Sequence, residues 1–360
     1  MGNAKCYGDL YTHRKFSIFP PKAQTAIFEI GNALRDSSVT DEHILAYQRS
    51  LRDVPASDIS RTADEIRLIA RLYLVDYGHN ANFWDAPILP ADWRKFKLSS
   101  PGEFLKAQPD LFWLLLFHSS GYVRQDAIKQ LKRAPATEFE MAAILYRMND
   151  WVDQVRTEAA IYASSYFPKT SAQVIGKSAF FLLPYSHQFR RWSNHERKIF
   201  EHTLSRTDVL NMLHTELLSQ RPGQISWLLR WLLKKPGFDH NLQELAQSAA
   251  IPIIRAIALD TLLLGQARWY DPNIKGNALA RFRERQIEVS TDFEIQLEIA
   301  AFDKSPKVRR MAADALLRKH QYASKNMDRI ANHLRSDKDT PVRDHIEAYF
   351  RKRKDLERAE

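Results

Sequence analysis

Five short segments in the 360-residue chain repeat one pattern, and that pattern restricts the fold more than any other feature. Val123-Arg124 is followed by Ala127 and Leu131, and Val155-Arg156 by Ala159 and Ala163. Ile254-Arg255 precedes Ala258 and Leu262, Val308-Arg309 precedes Ala312 and Leu316, and Val342-Arg343 precedes Ile346 and Phe350. Each reads apolar, Arg, then apolar four and eight residues on. This spacing puts the apolar side chains on one face of a helix, and Ala at four of the five middle positions lets a second helix approach closely. A repeated unit of this kind cannot bury its stripe alone, so several must stack.

The arginines lie 32, 99, 54 and 34 residues apart, and 99 is close to three periods of 33. The gap therefore calls for weaker copies. Ile225, Leu229 and Leu233 keep the apolar spacing with Ser226 in the arginine slot, and Phe189-Arg190 marks a degenerate copy that fails at Ser193 and Arg197. The 54-residue step holds a degenerate or inserted unit around 265–290, in which Trp269, Tyr270, Asp271 and Pro272 read as a loop.

Elsewhere, too, three- and four-residue steps dominate, and the predicted class is all-α. Glycine is scarce at 11 residues, about 3% against a usual ~7%, which disfavours a β-sandwich or a fold with a glycine-rich phosphate loop. Three helices are expected in the first 78 residues: one over 20–36, one from the N-cap Thr40 to about Asp53, and one from Ser57 to Tyr77. Residues 79–102 carry Pro87, Pro90 and Pro101 and cannot form one regular helix. Their Phe83, Trp84, Ile88, Leu89 and Trp93 read as a cover packed on neighbouring helices, with a functional loop as the other reading.

Asp150, Asp303 and Asp337 each stand six residues before a repeat arginine. Asp, Val-Arg, Ala and Leu in that order resemble HEAT repeats over residues 101–353. The resemblance implies an α-solenoid of stacked helical pairs, with residues 1–100 as an N-terminal helical cap and 354–360 as a charged tail. It also implies that Arg124, Arg156, Arg255, Arg309 and Arg343, with Asp150, Asp303 and Asp337, form a structural ladder in which guanidiniums satisfy acids and loop carbonyls.

Chemistry is harder to find. Cys6 is the only cysteine, so internal disulfides and cysteine-rich metal sites are excluded, and a reducing, cytoplasmic setting is expected. Among twelve histidines no His-Glu-x-x-His occurs. His195 and His202 lie two helical turns apart with only Glu196 and Glu201 nearby, and His195-Glu196 is too little for the di-iron hydroxylases built on HEAT repeats. No nucleophile elbow, P-loop or dinucleotide fingerprint is present. No catalytic residue, metal or cofactor is expected. The apolar runs 111–117 and 179–184 are far too short to span a bilayer. The start resembles an acylation signal at Gly2 but carries Cys6 in place of Ser or Thr, so no membrane anchor is expected.

The net charge of +10 is localised. Residues 183–235 hold nine Lys and Arg against four acids, and residues 303–360 hold sixteen against ten. Arg190, Arg191, Arg197, Lys198, Arg230, Lys234 and Lys235 are the candidate cations for a partner or a nucleic-acid backbone. Trp192, Trp227 and Trp231 could stack bases, but the apolar company of Trp231 reads all three as core. Some HEAT-like proteins are alkylbase DNA glycosylases, and Trp151 and Asp153 before Arg156 faintly resemble their cleft. The expected function is a non-enzymatic scaffold binding a protein partner through an elongated concave surface. The alternative is nucleic-acid binding, with or without glycosylase activity.

Overall fold

Helices begin where an apolar stripe meets a start signal. In the computed structural model, which describes residues 18–36, 38–52, 54, 56–72, 108–219, 225–271, 274 and 281–358, α1 spans Pro21–Arg35 with proline at its first position. Helix α2, Asp41–Leu51, is capped by Thr40, whose hydroxyl oxygen accepts the His43 N–H. Helix α3, Ile59–Ile69, ends eight residues before the expected Tyr77. Arg71 takes a left-handed φ of 55°, and Gly31 of α1 lies against this turn, where a Cβ would sit 2.4 Å from the Ala70 carbonyl oxygen. The Leu72 carbonyl then accepts the Ser119 N–H at 2.9 Å. The irregular stretch 79–102, and Gly2 with Cys6, lie outside the described residues.

Beyond it come α4 (Leu111–Leu115), α5 (Gly121–Gln130), α6 (Glu138–Arg147), α7 (Asp153–Tyr166), α8 (Ala172–Leu182) and α9 (Asn194–Leu204). Phe189 and Arg190 do not start a helix as the repeat spacing suggested. They occupy the turn between a 3-10 segment, Leu183–Gln188, and α9. Ser193 supplies the stronger local signal: its side chain caps α9 while Glu196 accepts the Ser193 N–H at 2.7 Å.

The chain divides into two compact units between Val209 and Leu210, within α10 (Thr207–Leu218). In the first unit α5 lies beside α7 and α6 beside α8, so alternate helices form two layers. The second unit contains α11 (Ile225–Leu232), α12 (Leu242–Ser248), α13 (Pro252–Leu264), α14 (Phe293–Ala301), α15 (Pro306–Arg318), α16 (Lys325–Leu334) and α17 (Thr340–Glu357). Here α11, α13, α15 and α17 pack in succession as one layer, and α14 beside α16 belongs to the other.

The apolar repeat positions are the core of these layers. Val123, Val155, Ile254, Val308 and Val342 are buried, as are Ala127, Ala159, Ala258, Ala312 and Ile346. At about 25 cal/mol per Å² of apolar surface, each stripe contributes several kcal/mol before the entropy of ordering is subtracted.

The expected loop at Trp269–Asp271 is in part a strand. Gln266–Tyr270 (β1) pairs antiparallel with Phe282–Gln286 (β2), Gln266 opposite Gln286 and Tyr270 opposite Phe282. Gly265, in the left-handed region at φ 67°, ends α13 and turns the chain into β1. Apart from this hairpin, every regular element among the described residues is a helix. No described helix is long and apolar enough to cross a membrane.

Candidate functional site

The repeat arginines and aspartates meet across neighbouring helices. Arg124 on α5 donates from Nε and Nη2 to the two oxygens of Asp150, at 2.9 and 2.7 Å, and Asp150 stands in the turn before α7. Arg255 on α13 grips Asp303 before α15 in the same two-pronged way, at 2.6 and 2.9 Å. Arg309 on α15 grips Asp337 before α17. Each aspartate also accepts the N–H two residues on, from Val152, Ser305 and Asp339 respectively. Each arginine spends its remaining nitrogen on carbonyls five and six residues before itself, His118 and Ser119 for Arg124. One rung thus fixes the register of two helices and the shape of both preceding turns.

The other two arginines make only the local half of this contact. Arg156 donates to the Asp150 carbonyl at 2.8 Å and to Asp153 at 2.6 Å, and Arg343 to the Asp337 carbonyl and to Thr340 Oγ1. Two further anchors carry no fixed sequence spacing. Arg206 donates to the carbonyls of Phe167, Pro168 and Thr170 while pairing with Asp208. Arg285, on β2, grips buried Asp239 at 2.8 and 2.6 Å and ties the hairpin to the helices.

The first rung is the most buried. Arg124 is 1% exposed, and Arg147 adds a second guanidinium to Asp150 at 2.6 Å. Burial pushes Arg147 down to about 10, with Asp150 opposing and Arg124 adding to the shift, so it stays charged at neutral pH. Burial alone would raise Asp150, but the hydrogen bond from Arg124 and the charges of Arg147 and Arg124 hold its carboxyl below the usual range. His118 beside them is pushed down to about 3 by burial, then by Arg124 and Arg67.

Two aromatic side chains stand out of this rigid corner into solvent. Tyr122 is 76% and Trp151 71% exposed. They adjoin Gly121 and Val152, which touch so closely that a Cβ on Gly121 would lie 2.8 Å from a Val152 methyl. The Arg124 guanidinium lies 6.0 Å from the centre of the Trp151 ring. Trp151 precedes α7 in the turn.

The candidate cations separate between the units. In the first, Arg190, Arg191, Arg197 and Lys198 are exposed and have no acidic partner among the described residues. The Arg191 N–H donates to Asn149 Oδ1 at 2.9 Å, which sets Arg190 and Arg191 beside the turn that carries Trp151. In the second, Arg230 is exposed on α11, Lys235 lies over the buried Trp231 ring at 5.2 Å, and Lys234 has its own contact. Trp192 is core, stacked on Phe189 at 4.7 Å. Trp227, read as core, is at the surface instead, because the apolar stripe of α11 passes through Ile225, Leu228, Leu229 and Leu232.

Asp153, the acid that the glycosylase resemblance would send to a lesion, is engaged by Arg156. His195 and His202 are both exposed on α9. No three His, Cys, Asp or Glu side chains among the described residues could hold a metal ion together. No protein-family model matches the chain, and a search of curated proteins returns no match.

Proposed function

We propose that the chain is a non-enzymatic HEAT-like scaffold, an α-solenoid over residues 101–353, that binds a protein partner through the turn edge of α5 and α7. The observation that carries this reading is the pair Tyr122 and Trp151, both exposed yet mounted on the most buried Arg–Asp rung among the described residues. An exposed Trp and Tyr forfeit burial, and held on a rigid support they lose little entropy on binding. Such residues, with arginine, dominate protein-binding hot spots.

The test compares proteins captured by the wild-type chain, by Tyr122→Ala/Trp151→Ala, and by Tyr322→Ala, which removes an exposed aromatic from the second unit. The reading expects one partner lost at least tenfold from the double variant and retained by Tyr322→Ala. Equal capture by all three removes the edge from the account.

A second reading, nucleic-acid binding, is supported by the unpaired Arg190 and Arg191 beside Trp151. Cations on phosphates next to an aromatic platform for bases would suit a single strand. Fluorescence anisotropy against short DNA and RNA at two salt concentrations separates the two. This reading requires binding that weakens steeply with salt and is lost on charge reversal at Arg190, Arg191, Arg197 and Lys198.

A further inference from the structure

A cavity of about 280 Å³ opens in the first unit, between α2 and the segment from Asp110 to Ala143, on residues that the turn edge does not use. Its walls are apolar: Leu45, Leu51, Trp113, Phe117 and Phe139. Two carboxylates reach it, Asp110 and Glu140, and both are already taken by one cation. Arg133 pairs with them at 2.9 and 2.7 Å while lying over the Trp113 ring at 4.8 Å. The arrangement fixes Arg133, and the attraction of Glu140 and Asp110 outweighs its burial to raise its pKa further.

What remains unbalanced is positive. Arg49 and Arg52 line the same cavity, are exposed, and have no acidic partner among the described residues. Arg52 also lines a wider, open groove with Ala136 and Thr137, so cavity and groove adjoin on the cationic side. Tyr47, on the wall, keeps its hydroxyl buried with no hydrogen-bond partner, and burial together with Glu140 raises its pKa, so it stays a neutral group there. An apolar chamber with two guanidiniums at one side that have no acidic partner among the described residues fits a molecule with an apolar body and one anionic end.

We propose that this cavity binds a compact carboxylate with its apolar chain against Leu45, Leu51, Trp113, Phe117 and Phe139 and its carboxylate between Arg49 and Arg52. At about 280 Å³, several times the roughly 30 Å³ share of one liquid water, the cavity has room for a short alkyl chain, and an eight-carbon acid is the first probe. This site and the turn edge share no residue, so either can fail without the other.

The probes are hexanoate, octanoate and octylamine, titrated calorimetrically into the full chain. Octanoate should bind one per chain, and hexanoate about fifteenfold more weakly, since each buried methylene is worth about fourfold. Octylamine should bind at least tenfold more weakly than octanoate. Arg49→Gln/Arg52→Gln, both exposed and so compatible with folding, should weaken octanoate at least tenfold while the melting temperature stays unchanged. No octanoate binding at millimolar concentration, equal binding of octylamine, no dependence on chain length, or an undiminished affinity in the double variant each overturns the assignment.

Discussion

Asp150→Asn changes one carboxylate oxygen into an amide nitrogen at constant size, so its effect is electrostatic and not a cavity. In the native protein Asp150 accepts four hydrogen bonds, from Arg124 Nε and Nη2, from Arg147 Nη1 and from the Val152 N–H. The side chains of Arg124 and Arg147 are 1% and 4% exposed, so neither can turn to water when the charge is removed. An amide can accept at only one of its two ends, and the other end points a donor at donors. Breaking a buried pair by removing one charge costs about 3–5 kcal/mol. That is a large part of a typical domain stability of about 5–15 kcal/mol. At about 2–4 °C per kcal/mol for a unit of this size, the melting temperature should fall by about 10 °C. Asp337→Asn should cost less, about 1–3 kcal/mol, because Arg309 is more exposed and no second guanidinium presses on it. The assay is urea denaturation followed by circular dichroism, with protease digestion to identify the unit that opens. In an Arg147→Met background the penalty of Asp150→Asn should shrink by about 1 kcal/mol or more, since one stranded cation is gone. A loss under about 1 kcal/mol for Asp150→Asn, or a larger loss for Asp337→Asn, would refute the reasoning.

Gly31→Ala should destabilise by about 2 kcal/mol or more, because the new Cβ meets the Ala70 backbone at 2.4 Å; the same change in a free helix stabilises by about 1 kcal/mol, so the sign seen in a denaturation curve is decisive. His118 sets part of the acid sensitivity. Its folded pKa of about 3 lies below the unfolded value of about 6.5. Its contribution is therefore nearly complete above pH 7 and declines as pH falls towards 3, by about 2 kcal/mol between pH 7 and pH 5. In His118→Asn, whose oxygen can still accept the Ser120 N–H, the difference between urea midpoints at pH 7 and pH 5 should be clearly smaller than in the wild type.

The legible parts of the fold are those in which one rule acts at fixed spacing. Val308, Ala312 and Leu316 announce a buried helix face because four-residue steps have one helical meaning, and all three are buried. The helix that ends at Ile69 was not legible, since its stop lies in a left-handed Arg71 and not in a glycine or proline. The hairpin was hidden for a related reason. Only Ala267 of β1 is buried, so no in–out alternation marks the strand. Its pairing rests on cross-strand contacts such as Tyr270 with Phe282, and on Arg285 reaching Asp239, 46 residues away. Among candidate site residues, exposure itself carried the missing information. Trp151, Trp192 and Trp227 are alike in sequence, and only packing separates the buried Trp192 from the other two.

The most direct test of the account is photo-crosslinking in the cells that make the protein, from a benzoylphenylalanine placed at Tyr122, with the same residue at Tyr322 for comparison. The account predicts one discrete protein adduct from position 122 that is absent from position 322 and disappears with Trp151→Ala. No adduct at position 122, or one that a nuclease removes, would contradict it, the latter moving the edge of α5 and α7 to a nucleic-acid partner.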